Sequence, residues 1–351
     1  MGMPGVLRGM TDGGHETVLH AVDRPTGLQA IVAIHSTVLG PALGGTRFYP
    51  YPDEDSALTD VLRLSSGMTL KAAAAGLDLG GGKAVIIGDS DVLGTEALFE
   101  AYGRVVDSLG GRYITAEDVG TTVEDMAVVA RRTRHVKGLP LDMGGSGDPS
   151  PMTARGVHVS MRAVAAHLWG SPSLAGRRVA VQGVGKVGAA LVELLAADGA
   201  DVIVADVDRD SLEEVVAATG ATVVAPEAIL SASCDILAPC ALGAVLSAST
   251  IPDLRCAAIV GSANNQLATR DDAVRLADVG ILYAPDFVAN AGGIMNISVE
   301  LEGDGYSQAR AADRVDRIFG RMTEILDVAR ADAITPLAAA ERLANQRIAG
   351  S

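Results

Sequence analysis

The stretch VAVQGVGKVG, residues 179–188, decides the fold of the second half of the chain. A short apolar run ends in Gly183-Val-Gly185-Lys-Val-Gly188, and the helix-like segment 187–197 follows at once. In this strand–turn–helix context, G-x-G-x-x-G spacing is typical of a dinucleotide-binding unit. Gly183 would allow the tight turn, Gly185 would let the backbone approach a pyrophosphate, and Gly188 would let the helix pack on the sheet.

The residues around this turn predict the cofactor. The start of the helix offers free backbone N–H groups to phosphates. Asp206 ends the next apolar run, eighteen residues after Gly188, where it would accept the ribose hydroxyls and repel a 2′-phosphate. Asp208 adds to that repulsion and outweighs Arg209, so we expect NAD rather than NADP. The expected cofactor contacts of this turn are Gly183, Val184, Gly185, Lys186, Val187, Gly188 and Asp206.

The pattern around the turn predicts a doubly wound parallel sheet. Short apolar runs alternate with helix-like or loop segments, which is typical of parallel strands joined by crossovers. The runs are 178–182, 201–205, 221–225, 234–238, 257–260 and 281–284. One long amphipathic helix is expected over 311–330, and a last helix begins at Thr335-Pro336, an N-cap followed by proline.

The first half of the chain indicates a second α/β domain, with a mixed sheet. Strand-like runs cover 17–22, 29–34 and 83–87, and helical periodicity covers 55–75 and 95–109, while a further helix is expected over 153–168, beyond the linker. The Gly- and Pro-rich segment 137–151 is the predicted linker. We therefore expect a substrate-binding, catalytic and oligomerisation domain over 1–147, joined by 331–351, and a Rossmann domain over 148–330. The active site is expected in a cleft between them.

Composition excludes several classes of function. The 351 residues carry a formal net charge of −15, which disfavours nucleic acid as a partner. Residues 1–14 do not resemble a signal peptide, and no apolar run is long enough for a membrane helix. The three cysteines lie in or beside strand-like runs and predict free thiols in a reducing compartment, hence a cytoplasmic protein. No metal site is expected, since C-x-x-C and paired histidines are missing.

Two lysines in the first half lie among apolar or small residues. GLDLGGGKAVI, residues 76–86, fails as a nucleotide P-loop because Leu77 and Ala84 stand where glycine and Ser or Thr are required. A structural turn with an exposed lysine is the alternative. If Lys71 and Lys83 line one cleft, one can hold a substrate carboxylate as a cation. The other, beside that cation and partly desolvated, would have a lowered pKa and act as a general base.

Seven stretches, in order along nearly the whole chain, resemble the Glu/Leu/Phe/Val amino acid dehydrogenases, most closely the bacterial leucine and valine dehydrogenases. They are HSTVLGPALGGTRFYPY, MTLKAAAAGLDLGGGKAVIIGD, GGRYITAEDVGTTVEDM, VQGVGKVG, APCALGAVL, GSANNQLA and GILYAPDFVANAGG. The resemblance implies NAD-dependent, reversible oxidative deamination of an L-amino acid to a 2-oxo acid and ammonium. It also implies a homo-oligomer, either a dimer or an octamer.

The resemblance also implies residue roles. Lys71 would bind the substrate carboxylate, Lys83 would activate water, and Asp118 would take part in proton transfer with the amino group. Further substrate contacts would come from Leu43, Gly44, Met68, Ala116, Asn264, Asn290, Ile294 and Ile297. Further cofactor contacts would come from Thr153, Pro239, Cys240, Ala241, Asn264 and Asn290. The prolines of 144–151 and Arg155 depart from the family pattern near the expected hinge.

The substrate is expected to be a branched-chain amino acid. Glutamate dehydrogenases carry a lysine where this chain has Leu43, so a second carboxylate would be buried without a partner. The implied pocket is apolar and mostly aliphatic, which favours valine, leucine or isoleucine. Phenylalanine dehydrogenase is the alternative activity, and a catalytically silent NAD-binding regulatory protein is a remote one.

Overall fold

The computed structural model describes residues 5–350, and the chain divides into two compact units. The first comprises the described residues up to Asp148, Ile297–Ser307 and the described residues from Ala344 onward. The second comprises Pro149–Asn296 and Gln308–Leu343. The first junction lies beside the expected domain boundary. The division differs from the expected one farther along, because it assigns 331–343 to the second unit and 297–307 to the first.

The first unit is built on a five-stranded mixed sheet. Its strands are β1 (Thr17–Asp23), β2 (Leu28–Ser36), β3 (Ala42–Tyr49), β4 (Gly80–Ile87) and β5 (Tyr113–Glu117), and its helices are α1 (Val6–Gly13), α2 (Glu54–Ala74), α3 (Ser90–Leu93), α4 (Glu96–Ser108) and α5 (Val123–Ala130). The strand order is β1-β2-β4-β3-β5. The β1–β2 and β2–β4 pairs are antiparallel, and β3 is parallel to both β4 and β5.

Alternation along β2 explains the two faces of this sheet. Ala30, Val32 and Ile34 lie in the core cluster that includes Phe99 and Tyr102 of α4. Ile31 and Ala33 belong to a second cluster with residues of α2. Successive side chains of a strand point to opposite faces, so α4 covers one face and α2 the other.

The three glycines before Lys83 lie inside β4, and other protein segments account for them. A Cβ on Gly81 would lie 2.1 Å from the backbone nitrogen of Thr69 in α2, and one on Gly82 would lie 2.7 Å from the Tyr113 ring. On the neighbouring strand, a Cβ on Gly44 would lie 1.7 Å from the carbonyl oxygen of Gly82. The glycines therefore let α2 and the adjacent strand approach closely, and the alternative of a glycine turn with an exposed lysine is excluded, because these glycines are extended strand and Lys83 is buried.

The second unit contains a six-stranded sheet in which every pair is parallel, as predicted. Its strands are β6 (Arg178–Gln182), β7 (Asp201–Ala205), β8 (Thr222–Val223), β9 (Ile236–Pro239), β10 (Ala258–Ile259) and β11 (Leu282–Tyr283), in the order β11-β10-β9-β6-β7-β8. Its helices are α6 (Ser150–Trp169), α7 (Lys186–Ala197), α8 (Arg209–Thr219), α9 (Asp272–Asp278), α10 (Asp286–Ala289), α12 (Gln308–Asp316) and α13 (Ile318–Ala331). The helices α11 (Gly292–Ser298) and α14 (Pro336–Ala349) continue across the division.

Two expectations for helices are corrected. The single helix predicted over 311–330 is two helices, separated at Arg317, whose N–H bonds to the carbonyl of Arg314 three residues back. The helix predicted from Thr153 begins at Ser150, because Pro151 fits the first turn, where its missing N–H has no intrahelical partner. The last helix begins as predicted, with Thr335 Oγ1 accepting from the N–H of Ala338.

The two features that depart from the family pattern are both held by specific bonds. Within the Gly- and Pro-rich segment, the N–H of Ser146 donates to Glu300 Oε1 over 2.8 Å, and Gly138 donates to the same oxygen over 2.9 Å. Arg155 makes a two-pronged bond to Asp316, with both N–O distances at 2.7 Å.

Candidate functional site

Lys83 lies on the α2 face of the first sheet. It lies on the same face of β4 as Gly81 and Val85, since residues two apart on a strand share a face. Val85 packs against residues of α2. The register places Leu43 beside Gly81 and Arg47 beside Val85. Leu43, Arg47 and Lys83 therefore share one sheet face, and only 5% of Lys83 is exposed.

Asp118, directly after β5, is the ionic partner of this lysine. Its Oδ1 lies 2.9 Å from Lys83 Nζ, and its Oδ2 lies 3.1 Å from Arg47 Nε. Burial alone would raise the pKa of Asp118, but the charges of Lys83 and Arg47 outweigh it and lower that pKa below its ordinary value. The carboxyl is therefore ionised at neutral pH. The structure thus brings together the two predicted catalytic residues.

The backbone around Asp118 is fixed by a threonine. The N–H of Asp118 donates to Thr121 Oγ1 over 3.0 Å, and that hydroxyl donates to the carbonyl of Thr46 on β3 over 2.9 Å. This turn therefore ties the end of β5 to β3, so that the carboxylate is held near Lys83 by main-chain as well as side-chain bonds.

Arg47 is a functional candidate that sequence reasoning missed. Besides Asp118, it contacts Asp60 of α2, with Nη1 lying 2.9 Å from Asp60 Oδ2. The sequence feature that could have indicated it is an arginine in the strand segment ALGGTRFY, on the same face as Leu43 and Gly45. A charged residue in register with apolar, inward-facing positions needs a partner, but the sequence does not reveal which one.

Lys71 is located on α2 and is half-buried. It follows Asp60 by eleven residues, about three helical turns, so both lie on the same side of α2. Asp60 contacts Arg47 on the sheet, and that side of the helix therefore faces the sheet surface that carries Lys83. The part that Lys71 plays in holding a carboxylate stays a prediction.

The predicted pocket residues of the first unit are apolar and mostly buried. Leu43 and Ala116 are 2% and 3% exposed, and Met68 is half-buried. A Cβ on Gly138 would lie 3.9 Å from the Ala116 Cβ and 4.0 Å from Ile297 Cδ1, so Ala116 and Ile297 border the same glycine. Gly44 accepts a hydrogen bond from the Tyr113 hydroxyl over 2.6 Å. Ile294 is buried in the second unit.

The glycine turn of the second unit has the conformation that its spacing predicts. Gly183 has a φ of +94°, which favours glycine. A Cβ on Gly188 would lie 1.9 Å from the Gly183 carbonyl oxygen, whereas one on Gly185 would have no atom within 4 Å. Lys186, Val187 and Gly188 form the first turn of α7.

Asp206 lies at the end of β7, beside this turn. Its Oδ2 accepts from the N–H of Val184 over 2.6 Å, and its Oδ1 accepts from the N–H of Asp208 over 3.0 Å. The carboxylate is thus oriented by the glycine turn itself. Asp208 caps α8 through the N–H of Asp210 and accepts from the Ser211 hydroxyl, a bond that lowers the pKa of Asp208.

Two asparagines of the second unit are joined by a hydrogen bond. Asn290 Nδ2 donates to Asn264 Oδ1 over 2.8 Å and to the Ser262 carbonyl over 3.0 Å. Asn290 is 3% exposed, and its Oδ1 is buried without a hydrogen-bond partner. A buried amide oxygen in that state is suited to a ligand that brings a donor, such as a carboxamide.

The remaining cofactor positions lie close to the glycines. Ala241, which follows Pro239 and Cys240 at the end of β9, is the nearest residue to a Cβ on Gly183, with its own Cβ 2.6 Å away. Thr153 Oγ1 lies 2.8 Å from a Cβ on Gly293. The open space at Gly185 and the orphaned oxygen of Asn290 fit a bound dinucleotide. Cofactor contacts by individual residues stay predictions.

Residues 5–350 contain no group of three or more His, Cys, Asp or Glu that could hold a metal ion. None of the helices in this range combines the length and hydropathy needed to cross a membrane. Cys234, Cys240 and Cys256 are free thiols.

Comparison with known proteins agrees with both halves of this description. Residues 16–135 match the model of the Glu/Leu/Phe/Val dehydrogenase dimerisation domain, and residues 144–211 and 204–350 match that of the Glutamate/Leucine/Phenylalanine/Valine dehydrogenases. The chain is 48% identical to a leucine dehydrogenase of Bacillus cereus, covering 95% of this chain and 91% of the relative. It is 52% identical to a valine dehydrogenase of Streptomyces virginiae, covering 96% and 94%.

Solved structures show the same fold. An L-tryptophan dehydrogenase from Nostoc punctiforme superposes with a TM-score of 0.84 at 43% identity, over 97% of this chain and 98% of the other. A chain of a hetero-hexameric glutamate dehydrogenase from Thermus thermophilus has the same fold, with a TM-score of 0.81 at 24% identity, over 98% and 90%. On these matches the chain belongs to the Glu/Leu/Phe/Val dehydrogenase family of amino acid dehydrogenases.

Proposed function

We propose that the chain catalyses NAD-dependent, reversible oxidative deamination of branched-chain L-amino acids to 2-oxo acids and ammonium. The observation that carries this proposal is the Lys83–Asp118 ion pair on a sheet face that also carries buried Leu43. The pair supplies groups for proton transfer, and the apolar neighbour selects against a charged substrate side chain. Leucine and valine dehydrogenases at about 50% identity support the same activity.

Each ionic group has a distinct part in this mechanism. Lys71 binds the substrate carboxylate as a cation. Asp118, which is ionised, takes part in proton transfer with the substrate amino group. Lys83, in the form that has lost its own proton, acts as the base that activates water for attack on the substrate imine. Its 2.9 Å contact with Asp118 gives the two groups a direct route for exchanging a proton.

The second unit supplies the redox chemistry through its cofactor. Dehydrogenases of this family use NAD or NADP. When bound, the dinucleotide supplies a hydride acceptor for the substrate Cα. We propose NAD, because Asp206 at the end of β7 would accept ribose hydroxyls and repel a 2′-phosphate. The ionised Asp208 beside it adds to the repulsion.

Substrate choice follows from burial at Leu43. Only 2% of this side chain is exposed, so a second substrate carboxylate placed against it would lose its hydration without gaining a cation. Ala116 and Ile297 extend the apolar surroundings. A difference of one methylene is worth only about 1–3 kcal/mol, so we expect overlapping activity on valine, leucine and isoleucine.

Assembly and location complete the proposal. We infer a homo-oligomer, either a dimer or an octamer, acting in the cytoplasm on small molecules. Light scattering of the purified protein measures the mass.

A panel of 2-oxo acids tests the proposed activity. NADH oxidation is followed with 2-oxoisovalerate, 2-oxoisocaproate, phenylpyruvate, indole-3-pyruvate and 2-oxoglutarate, each with and without ammonium. We expect ammonium-dependent turnover that is fastest with the branched acids. Faster turnover with an aromatic acid would assign a phenylalanine- or tryptophan-type activity. NADH binding without turnover of any acid would make the chain a silent binding protein and would overturn the proposal.

A further inference from the structure

Arg47 joins two carboxylates on the α2 face of the first sheet. Its Nε lies 3.1 Å from Asp118 Oδ2, and its Nη1 lies 2.9 Å from Asp60 Oδ2. Only 22% of the Arg47 side chain is exposed, against 16% for Asp60 and 24% for Asp118. One planar guanidinium therefore spans the gap between β3, the turn after β5 and helix α2, a geometry that lysine cannot reproduce.

Asp60 is itself held from two further directions. The Tyr51 hydroxyl donates to its Oδ2 over 2.6 Å, and Arg63 Nη2 lies 3.0 Å from its Oδ1. Burial, followed by the bond to Asp60, raises the pKa of Tyr51 far above the neutral range, so this hydroxyl stays a donor. Burial alone would raise the pKa of Asp60, but its bonds to Tyr51 and Arg63 and the charge of Arg47 outweigh it and lower that pKa, so Asp60 remains an anion that anchors the far side of the Arg47 guanidinium.

The groups around Asp118 form an alternating series of charges. Lys83 and Arg47 contact Asp118 directly, while Asp60, with its partners Tyr51 and Arg63, lies beyond Arg47. Lys71 lies on the same side of α2 as Asp60. Asp118 is thus held by two cations. Lys83 takes part in the proposed proton transfer, whereas Arg47 contacts neither substrate nor cofactor in the proposed mechanism.

We propose that Arg47, anchored by Asp60, is a positioning residue that holds the Asp118 carboxylate against Lys83 and keeps a compensating positive charge beside it. This inference rests on the proposed function, in which Asp118 exchanges protons with the amino group. Without Arg47, Asp118 Oδ2 loses its only side-chain partner among the contacts described above, and the carboxylate can rotate away from Lys83.

The proposal predicts opposite effects for the two ends of the bridge. Loss of the positive charge in Arg47→Gln should move the pH profile of kcat/KM to higher pH by about one unit. Loss of the negative charge in Asp60→Asn should move it to lower pH, by less because Asp60 is farther from Asp118. The profile reports apparent pKa values of the coupled Lys83–Asp118 pair, so no assignment to one residue is needed.

The experiment compares four variants with the wild-type protein, assayed with 2-oxoisovalerate, ammonium and NADH. Arg47→Gln should lower kcat/KM by roughly a hundredfold if the carboxylate moves by 1 Å. Arg47→Lys should return the profile to the wild-type pH while remaining slower, since a single ammonium cannot hold both carboxylates. Arg131→Gln removes the same charge from an exposed pair with Glu96 and should leave the profile where it is.

The proposal is supported if the pH profile of kcat/KM shifts in opposite directions in Arg47→Gln and Asp60→Asn and does not shift in Arg131→Gln. Lower rates with an unmoved profile, or shifts in the same direction, would reduce Arg47 to a structural residue and overturn it. If Arg47→Gln fails to fold, the downward shift of Asp60→Asn and the restored profile of Arg47→Lys remain the deciding results.

A second readout separates this proposal from the proposed function. If the wild-type protein turns over none of the acids, the function fails, and urea unfolding of wild type and Arg47→Gln, which removes the charge beside Asp118, tests the bridge. The lowered pKa of Asp118 contributes stability above its unfolded value of about 4, and that stability is lost as the pH falls. The difference in the free energy of unfolding between the two proteins should therefore be larger at pH 7 than at pH 3. An equal difference at both pH values would contradict the bridge.

Discussion

Two glycines of the same turn should respond to alanine in opposite ways. A Cβ on Gly188 would lie 1.9 Å from the Gly183 carbonyl oxygen, about 1.5 Å closer than an ordinary contact. Neither atom belongs to a flexible side chain, so α7 must move away from β6. Overpacking of this kind costs roughly 3 kcal/mol, at the upper end of the usual range. We expect Gly188→Ala to lower the Tm by about 6–12 °C.

Gly185→Ala should leave stability almost unchanged. A Cβ there has no atom within 4 Å, and the φ of −64° suits alanine. Alanine is a poorer N-cap than glycine by roughly 0.5–1 kcal/mol, but it also restricts the unfolded chain by about 0.4–1 kcal/mol, so the two effects nearly cancel. The methyl group would instead occupy the space that we assign to the pyrophosphate, and we expect at least a roughly tenfold weaker Kd for NADH.

Thermal unfolding and NADH titration, performed on both variants, provide the assay. Wild-type affinity of Gly185→Ala for NADH would contradict the role assigned to Gly185, because the open space at that glycine would then have no ligand. Equal destabilisation of Gly185→Ala and Gly188→Ala would contradict the packing difference between the two positions.

Three further predictions concern specificity and stability. Asp206→Ser should lower the ratio of kcat/KM for NAD over NADP by roughly tenfold or more, since it removes the charge that repels a 2′-phosphate; an unchanged ratio would contradict the assigned role. Leu43→Lys should introduce turnover of 2-oxoglutarate and lower the Tm, because the new cation is buried when no substrate carboxylate pairs with it; steady-state kinetics and a thermal melt check both effects. Burial lowers the pKa of His15 and His35, with His15 adding to the effect on His35, so the unfolded chain takes up protons first and stability should fall as the pH drops below about 6.5. The free energy of unfolding, measured with urea from pH 7.5 to 5, should depend less on pH in a variant with glutamine at both histidine positions.

The sequence predicts the second unit well because its signals are local. Each of the six apolar runs contains or overlaps a strand, and Gly183, Gly185 and Gly188 differ in space and conformation as their spacing predicts. The glycine turn needs only neighbouring residues for its recognition. The break at Arg317 is a change of one hydrogen bond within a continuous amphipathic pattern, so periodicity gives no warning of it.

The first unit is harder to predict because its site is assembled by tertiary contacts. The strand β3 carries Gly, Thr and Arg, and β5 carries Thr and Glu, so neither shows the plain apolar alternation that predicts a strand. The glycines before Lys83 leave a turn open as an alternative, whereas Gly81 packs on Thr69 and Gly82 on Tyr113, 12 and 31 residues away. Arg47 meets Asp118 across 71 residues of sequence, a distance at which spacing carries no information.

In the proposed mechanism, the Lys83–Asp118 pair performs the proton chemistry of amino acid dehydrogenation. The most direct test measures NADH formation from L-valine at saturating substrate in the wild type and in Lys83→Met, which keeps a stem of similar length in a buried site. We predict a loss in kcat of roughly a thousandfold, within the usual range for a general base, with NADH binding unchanged. A variant that forms NADH within about tenfold of the wild-type rate would contradict the claim.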